Sequence, residues 1–216
     1  MARLVFLICL FFFLPTVMSC DFLVLALQWP ITYCRPPSNC RTGLPQSLTI
    51  RGLWPSTKFP PYPAHCVGKD LSLNMVTSIE DRLHNEWPSL NSGQSDFSFW
   101  EMEWNKHGKC STDVFPDPLT YFSFALTKSR AADIMRVLDL NAIKPSQREI
   151  FSAVRIVSAI VNAGFGVPQL ECNYLAYPSE LREIRLCLHT NGTFMQRCPY
   201  NNLKIGCGLT LSWPLQ

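Results

Sequence analysis

A stretch in the middle of the chain places an aromatic ring, a carboxylate and an imidazole at helical spacing. Phe99, Glu103 and His107 follow one another at i, i+4 and i+8, so on a helix they form one stripe with neighbours about one turn apart. Met102 and Lys106 lie on the adjoining row. A carboxylate and an imidazole that are partly desolvated can exchange protons with a substrate. The spacing therefore indicates an acid–base site.

The alternative is an ordinary solvent-exposed helix face on which the charged side chains are simply hydrated. The aromatic content of the same helix argues against it, because some of these large rings must pack into a core. They are Phe97, Phe99, Trp100 and Trp104.

A second stretch, SLTIRGLWPS at residues 47–56, combines charge with aromatic surface. An apolar, strand-like run ends in Arg51, and Gly52 and Trp54 follow. A guanidinium stays protonated at any physiological pH, and it can hold a phosphate through two hydrogen bonds. This stretch is a second candidate for the site.

The first twenty residues have the pattern of a removable secretory leader. Arg3 supplies a positive start, and residues 4–14 are continuously apolar. That run is too short to span a bilayer, which disfavours the alternative of a membrane anchor. We predict a signal peptide at residues 1–20, a mature domain at 21–216, a secreted, extracellular protein, and no membrane association after the leader is removed.

Removal of the leader leaves eight cysteines, an even number that predicts four disulfides in an exported chain. Zinc is the alternative, but the chain has no Cys-x-x-Cys pair and its histidines are scattered, so no metal is expected. Spacing alone leaves the pairing open. The cysteines are Cys34, Cys40, Cys66, Cys110, Cys172, Cys187, Cys198 and Cys207.

Periodicity and turn signals predict a single α+β domain in which an antiparallel sheet packs against several helices, since helices and strands do not alternate as in parallel folds. No repeat or linker divides the chain, and its formal net charge of +3 permits a polyanionic partner without requiring one. Strands are predicted at residues 22–29 and 184–188, loops at 35–47 and 55–69, and helices at 70–87, from Ser95 or Asp96 to Gly108, and, after a capping box of Ser146 and Glu149, at 150–161.

Asn191-Gly192 marks a hairpin turn, because Asn-Gly readily adopts the backbone conformation of a two-residue hairpin. With Thr193 it forms the glycosylation sequon of the chain. A hairpin tip is exposed, so both interpretations hold together.

Taken together, LTIRGLWPS and FWEMEWNKHGKCS resemble the two active-site segments of the secreted acid ribonucleases of the T2 family. Members of that family read much like F-T-I-H-G-L-W-P and W-E-H-E-W-N-K-H-G-T-C at these places. The leader, the chain length, the LQWP opening and the late cysteines also agree, so the resemblance covers essentially the whole mature chain. Its mild basicity and early cysteine pair are closest to the S-type ribonucleases of plant self-incompatibility.

The resemblance implies cleavage of single-stranded RNA through a 2′,3′-cyclic phosphate, without a cofactor or metal. His107 matches the histidine that removes the 2′-hydroxyl proton. Glu103 and Lys106 match groups that assist the phosphate. Arg51 stands at the position of the family's first catalytic histidine, which protonates the leaving 5′ oxygen. Met102 takes the place of an auxiliary histidine that binds phosphate.

Further residues are implied to bind RNA or to hold the fold. Trp54 and Phe99 match aromatic base-site residues, and Gln28 matches a polar contact from the first strand. Pro88 and Ser89 line the same base pocket. The disulfides implied are Cys34–Cys40 and Cys66–Cys110, with the last four cysteines pairing as Cys172–Cys207 and Cys187–Cys198.

The chain departs from the family pattern where a proton donor is needed, because an arginine cannot release a proton near neutral pH. His65 in the loop PYPAHC is the alternative donor, whereas His84 and His189 are expected to be structural. We predict a monomeric ribonuclease with badly impaired activity. The competing hypothesis is a catalytically silent relative that binds RNA, or a protein partner through its surface loops.

Overall fold

A computed structural model describes residues 20–174, 177–199 and 206–215 of the chain. The predicted leader, apart from Cys20, lies outside the described residues. Cys20 itself is only 7% exposed and packs in the main core, with a free thiol. The leader boundary at residue 20 stays a prediction.

Six strands of the described chain form one sheet in the order β2-β1-β5-β6-β3, with β4 paired to β5. Every pairing is antiparallel except a single parallel contact between β5 and β6. The strands are β1 (Phe22–Gln28), β2 (Thr49–Ser56), β3 (Ile150–Ser152), β4 (Gln169–Asn173), β5 (Glu180–Leu188) and β6 (Thr210–Ser212). The predicted α+β class and the two predicted strands are confirmed.

Helices pack against one face of this sheet, where alternate residues of β1 such as Leu23, Leu25 and Leu27 are buried in the main core. The longest, α4, contacts both β1 and β2. The helices are α1 (Pro30–Tyr33), α2 (Glu80–Glu86), α3 (Asp96–Lys106), α4 (Pro118–Ala132), α5 (Ile134–Leu140) and α6 (Ala153–Asn162).

The start of α3 agrees with the prediction, because the Ser95 side chain caps it by accepting a hydrogen bond from the backbone N–H of Ser98. Two other helix predictions were too long. Residues 70–87 form two short 3-10 turns, Leu73–Met75 and Thr77–Ile79, before α2 begins.

The segment predicted as a helix from Ile150 starts instead as strand β3, which pairs with β6. Ser146 does accept a hydrogen bond from the backbone of Glu149 at 3.2 Å, so the cap-like turn exists. The chain then stays extended, because β6 offers backbone partners, and α6 begins only at Ala153. Local capping signals were overridden by strand pairing.

All four predicted disulfides are present: Cys34–Cys40, Cys66–Cys110, Cys172–Cys207 and Cys187–Cys198. The second one ties the loop after β2 to the 3-10 turn that follows α3. Two segments distant in sequence are thereby held at one place, which restricts the unfolded chain and fixes the loop. The Asn191-Gly192 turn also forms, with Gly192 at φ +85°.

Candidate active site

A β-bulge on β2 turns Arg51 out of the core. Ala26 of β1 pairs with Gly52, but the next residue of β1 pairs with Ile50, so Arg51 is skipped in the ladder. Both Ile50 and Leu53 are consequently buried, although strict alternation would send one of them to the other face. Bulges commonly re-aim a side chain beside an active site.

The carboxylate of Glu103 is the centre of a buried cluster. It is 2% exposed and accepts hydrogen bonds from Arg51 Nη1 at 2.9 Å and from Trp54 Nε1 at 3.1 Å. Burial raises the pKa of this carboxyl, while Arg51 and the Trp54 indole oppose the shift. One residue of α3 therefore joins two residues of β2.

Gly52 allows this close approach of strand and helix. A Cβ atom at this position would overlap the Trp54 indole and would lie only 2.5 Å from Glu103 Oε2. Glycine is required here because a larger side chain would not fit. The backbone conformation does not require it, since the φ of Gly52 lies outside the left-handed region.

The guanidinium of Arg51 has a second contact, with an aromatic ring. Its Cζ lies 5.3 Å from the centroid of the Phe99 ring, within the range of a cation–π interaction. Phe99 is itself only 5% exposed. A nucleobase can therefore stack on this ring only if the guanidinium moves aside.

His107 ends α3 as its C-cap residue, and its backbone N–H donates to the carbonyl of Glu103. Burial lowers the pKa of the imidazole to about 3, and the positive charges of Lys106, Arg51 and His65 add to this shift. The ring lies 5.7 Å from the Trp54 ring, and its Nδ1 is buried without a hydrogen-bond partner. A neutral imidazole is available as a proton acceptor, although its lowered pKa makes it a weaker base than an ordinary imidazole.

The structure thus brings together five of the predicted residues: Arg51, Trp54, Phe99, Glu103 and His107. The arrangement combines a proton acceptor, a buried carboxylate, a cation and aromatic surface, the parts needed to cleave a phosphodiester whose nucleophile is supplied by the substrate.

Comparison with known proteins agrees with this chemistry. The model of the ribonuclease T2 family matches residues 20–198. The chain belongs to the ribonuclease T2 family. It is 30% identical to extracellular ribonuclease LE of Solanum lycopersicum over 90% of this chain and 86% of that protein. It is 29% identical to intracellular ribonuclease LX of the same plant, over 95% and 89%.

A solved structure shows the same fold. RNase NT in complex with 5′-AMP superimposes with a TM-score of 0.82 at 28% identity, covering 91% of this chain and 98% of that one. The α+β architecture described above is therefore that of a T2 ribonuclease.

The structure gives the remaining predicted residues the following environments. Lys106 is exposed, and Met102 is 39% exposed. Gln28 is buried on β1, where its Nε2 donates to Thr49 Oγ1 at 3.3 Å and its Oε1 has no hydrogen-bond partner. Their roles in RNA binding stay predictions.

Pro88 and Ser89 are both buried. The Ser89 backbone N–H donates to Asp96 Oδ1 at 2.7 Å, and its hydroxyl donates to Gln94 Oε1 at 3.1 Å. These contacts hold the segment before α3, and whether the segment lines a base pocket stays a prediction.

Arg185 is a residue of this region that the sequence analysis missed. Its guanidinium lies 5.2 Å from the Trp54 ring centroid and donates to Glu183 at 2.7 Å and to Glu171 at 3.2 Å. The strand alternation at residues 184–188 could have placed it on the face opposite the core, but only the sheet register shows that Ala26 lies between it and Gly52.

The described residues contain neither a cluster of metal ligands nor a membrane-spanning helix. No group of three or more His, Cys, Asp or Glu side chains in this part of the chain could hold a metal ion. No helix among the same residues has the length and apolar character needed to cross a membrane.

Proposed function

We propose that this chain is a secreted endoribonuclease that cleaves single-stranded RNA through a 2′,3′-cyclic phosphate, at a rate reduced because Arg51 stands where a proton-donating histidine is required. The observation that carries the proposal is the pairing of Arg51 with Glu103 at 2.9 Å, beside a His107 whose neutral imidazole can act as the base. RNA supplies its own nucleophile, the 2′-hydroxyl, so a base and positive charge support the first half of the reaction.

Arg51 in this arrangement serves as a cation. It offsets the charge of the buried Glu103 and its side chain is 25% exposed, so it can also reach a phosphate. It cannot return a proton to the leaving oxygen. Lys106, exposed at the end of α3, supplies the second positive charge near the phosphate.

The direct test is cleavage of a dinucleoside phosphate by the purified protein, with the cyclic phosphate identified as the first product. Turnover that persists in a chelator supports metal-free catalysis. His189→Asn, which changes an exposed residue outside the cluster described above, is the control variant and should keep the parental rate. The absence of cyclic phosphate above the buffer rate would contradict the proposal.

The pH dependence of the rate should show the unusual environment of His107. The base must be neutral, and its pKa of about 3 keeps it neutral as the pH falls from 7 to 4. We therefore expect the acid limb of kcat/KM close to pH 3, although an ordinary imidazole would place it near 6.5. Initial rates between pH 3 and 8 check this; an acid limb near 6.5 would contradict the role of burial.

Binding of single-stranded RNA should depend on both charge and stacking. We expect the affinity to fall with salt, because bound phosphates release counterions. Phe99→Leu keeps an apolar side chain in the core but removes the stacking face, so it should weaken binding by about 1–3 kcal/mol. Titration of a fluorescent oligonucleotide at two salt concentrations measures both effects, with a melting curve as the control for folding. Binding unaffected by either change would place RNA elsewhere.

A catalytically silent relative is the second candidate function. Both the charge and the apolar face of Arg51 are already engaged, by Glu103 and by Phe99. In that case the chain binds RNA or a protein partner through its loops, as in a non-functional protein of the self-incompatibility type. Measurable RNA binding with no product, even in a single turnover, would select this candidate.

The secreted state is supported by the leader pattern, the four disulfides and the extracellular relative LE. Glycosylation at Asn191 is supported by its exposure and by the turn, in which its Oδ1 accepts from the Thr193 hydroxyl at 2.8 Å. We propose a monomer. Expression in plant cells tests these points. Recovery of the protein from the medium tests secretion, a mass that falls on glycosidase treatment tests glycosylation, and sedimentation tests the monomeric state.

A further inference from the structure

The cations around His107 differ in one chemical property. Lys106, Arg51 and His65 are the three positive groups that lower its pKa, so all three lie within electrostatic reach of the imidazole. Among these side-chain types, only an imidazole ordinarily changes protonation between pH 5 and 8. Of the three, His65 has the side-chain type that is suited to donate a proton and take it up again in each catalytic cycle.

The loop that carries His65 is fastened to the turn that carries His107. The backbone N–H of His65 donates to the carbonyl of Lys106 at 2.9 Å. The next residue, Cys66, forms a disulfide with Cys110, whose own N–H donates to the carbonyl of His107 at 2.9 Å. A backbone hydrogen bond and a disulfide therefore hold the loop that carries His65 against the turn that carries His107.

The backbone of His65 is in an uncommon conformation. Its φ is +56°, in the left-handed region that residues other than glycine seldom adopt. Strained positions of this kind cluster at functional sites when the surroundings hold them in place. Here the hydrogen bond and the disulfide hold the backbone, while the imidazole is exposed.

The other two histidines are placed elsewhere. His84 Nδ1 is 2.6 Å from Asp96 Oδ2, and its ring packs on Trp100. His189 lies in the turn of the C-terminal hairpin, where its carbonyl accepts from Gly192. The contacts that define the cluster of Arg51, Trp54, Phe99, Glu103 and His107 include neither of these two histidines.

We propose that His65 is the proton donor of this ribonuclease, in place of the histidine that position 51 lacks; this inference rests on the proposed function. The 2′-hydroxyl proton passes to His107 as the O2′–P bond forms. The P–O5′ bond breaks, and the electron pair left on O5′ takes a proton from the His65 imidazolium. In hydrolysis of the cyclic phosphate the two groups exchange roles, with water as nucleophile.

The test compares His65→Asn with the parent protein. Asparagine tolerates a left-handed backbone but cannot act as an acid, so folding is spared while the donor is lost. We expect RNA cleavage to fall about a hundredfold, and the alkaline limb of the pH profile to disappear. In an Arg51→His background, where a second donor is present, the same change should cost no more than about threefold.

A substrate with a good leaving group separates donation from structure. Uridine 3′-(4-nitrophenyl phosphate) releases a nitrophenolate that needs little protonation, so His65→Asn should cleave it as fast as the parent does. Equal losses on both substrates would show a structural role and overturn the proposal. An active parent with an unchanged His65→Asn variant would overturn it while leaving the proposed function intact. A parent without cyclic-phosphate product would overturn both.

Discussion

With His65 replaced by asparagine, Arg51→His is expected to raise the rate of RNA cleavage by about a hundredfold, the usual scale of general-acid catalysis. The new imidazole stands on the bulge of β2 beside Glu103, which now pairs with Arg51 at 2.9 Å. It can protonate the leaving 5′ oxygen directly. The gain should be largest between about pH 4 and 6, where an ordinary imidazole is protonated and His107, with a pKa of about 3, stays neutral.

Arg51→Gln is the matched control for this gain. It also removes the guanidinium from Glu103 and Phe99, but it brings no proton donor, so we expect no increase in rate. His107→Gln placed on Arg51→His should abolish the gain, since no base remains. Rates are measured on the same dinucleoside phosphate. A His65→Asn protein already as fast as His65→Asn with Arg51→His would refute the role assigned to this position.

Much of the fold follows from local signals because disulfides and periodicity constrain it strongly. The strand at residues 22–28 is apolar up to its last residue, Gln28, and ends before Pro30, and the Ser95 cap marks the start of α3. The failure at Ile150 has a non-local cause. At Ile150 a turn signal was followed by pairing with β6, a strand some sixty residues away whose presence the local sequence does not reveal.

Three helices, α1, α4 and α5, were missed, although α4 carries a clear signal. Asp117 and Thr120 form a capping box in front of α4, with Pro118 at its first position. Asp-Pro-x-Thr would have predicted this helix. The left-handed Asp133 between α4 and α5 is harder to anticipate, because it serves as the end of one helix and the cap of the next.

The site could be predicted in composition but not in contacts. Helical spacing placed Glu103 one turn before His107, and the structure agrees. The bulge that turns Arg51 towards Glu103 depends on the register of β1 against β2, which no local pattern encodes. For the same reason the sequence alone does not reveal that the guanidinium of Arg51 lies over the Phe99 ring and that of Arg185 over the Trp54 ring.

His107→Gln in the parent protein is expected to reduce cleavage by about a hundred- to ten-thousandfold, the range for loss of a general base. Glutamine has nearly the size of the imidazole and is neutral, so it can keep the packing against Trp54. The expected loss should persist on a nitrophenyl ester, because the base acts on the 2′-hydroxyl whatever the leaving group. A variant that retains parental activity on both substrates would exclude His107 as the base.

The same variant should improve stability in acid. The pKa of His107 is about 3 in the folded protein and near 6.5 for an ordinary imidazole, so between these values the unfolded chain binds more protons. The contribution of the neutral His107 to the free energy of unfolding is therefore fully present above pH 6.5 and is lost progressively as the pH falls towards 3. Glutamine does not titrate and removes this loss. Thermal melts at pH 7 and pH 4 measure this effect. The melting temperature of His107→Gln relative to that of the parent should be higher at pH 4 than at pH 7, because the same carboxylates titrate in both proteins and their effect cancels in the difference. An equal difference in melting temperature at the two pH values would contradict a buried, neutral His107.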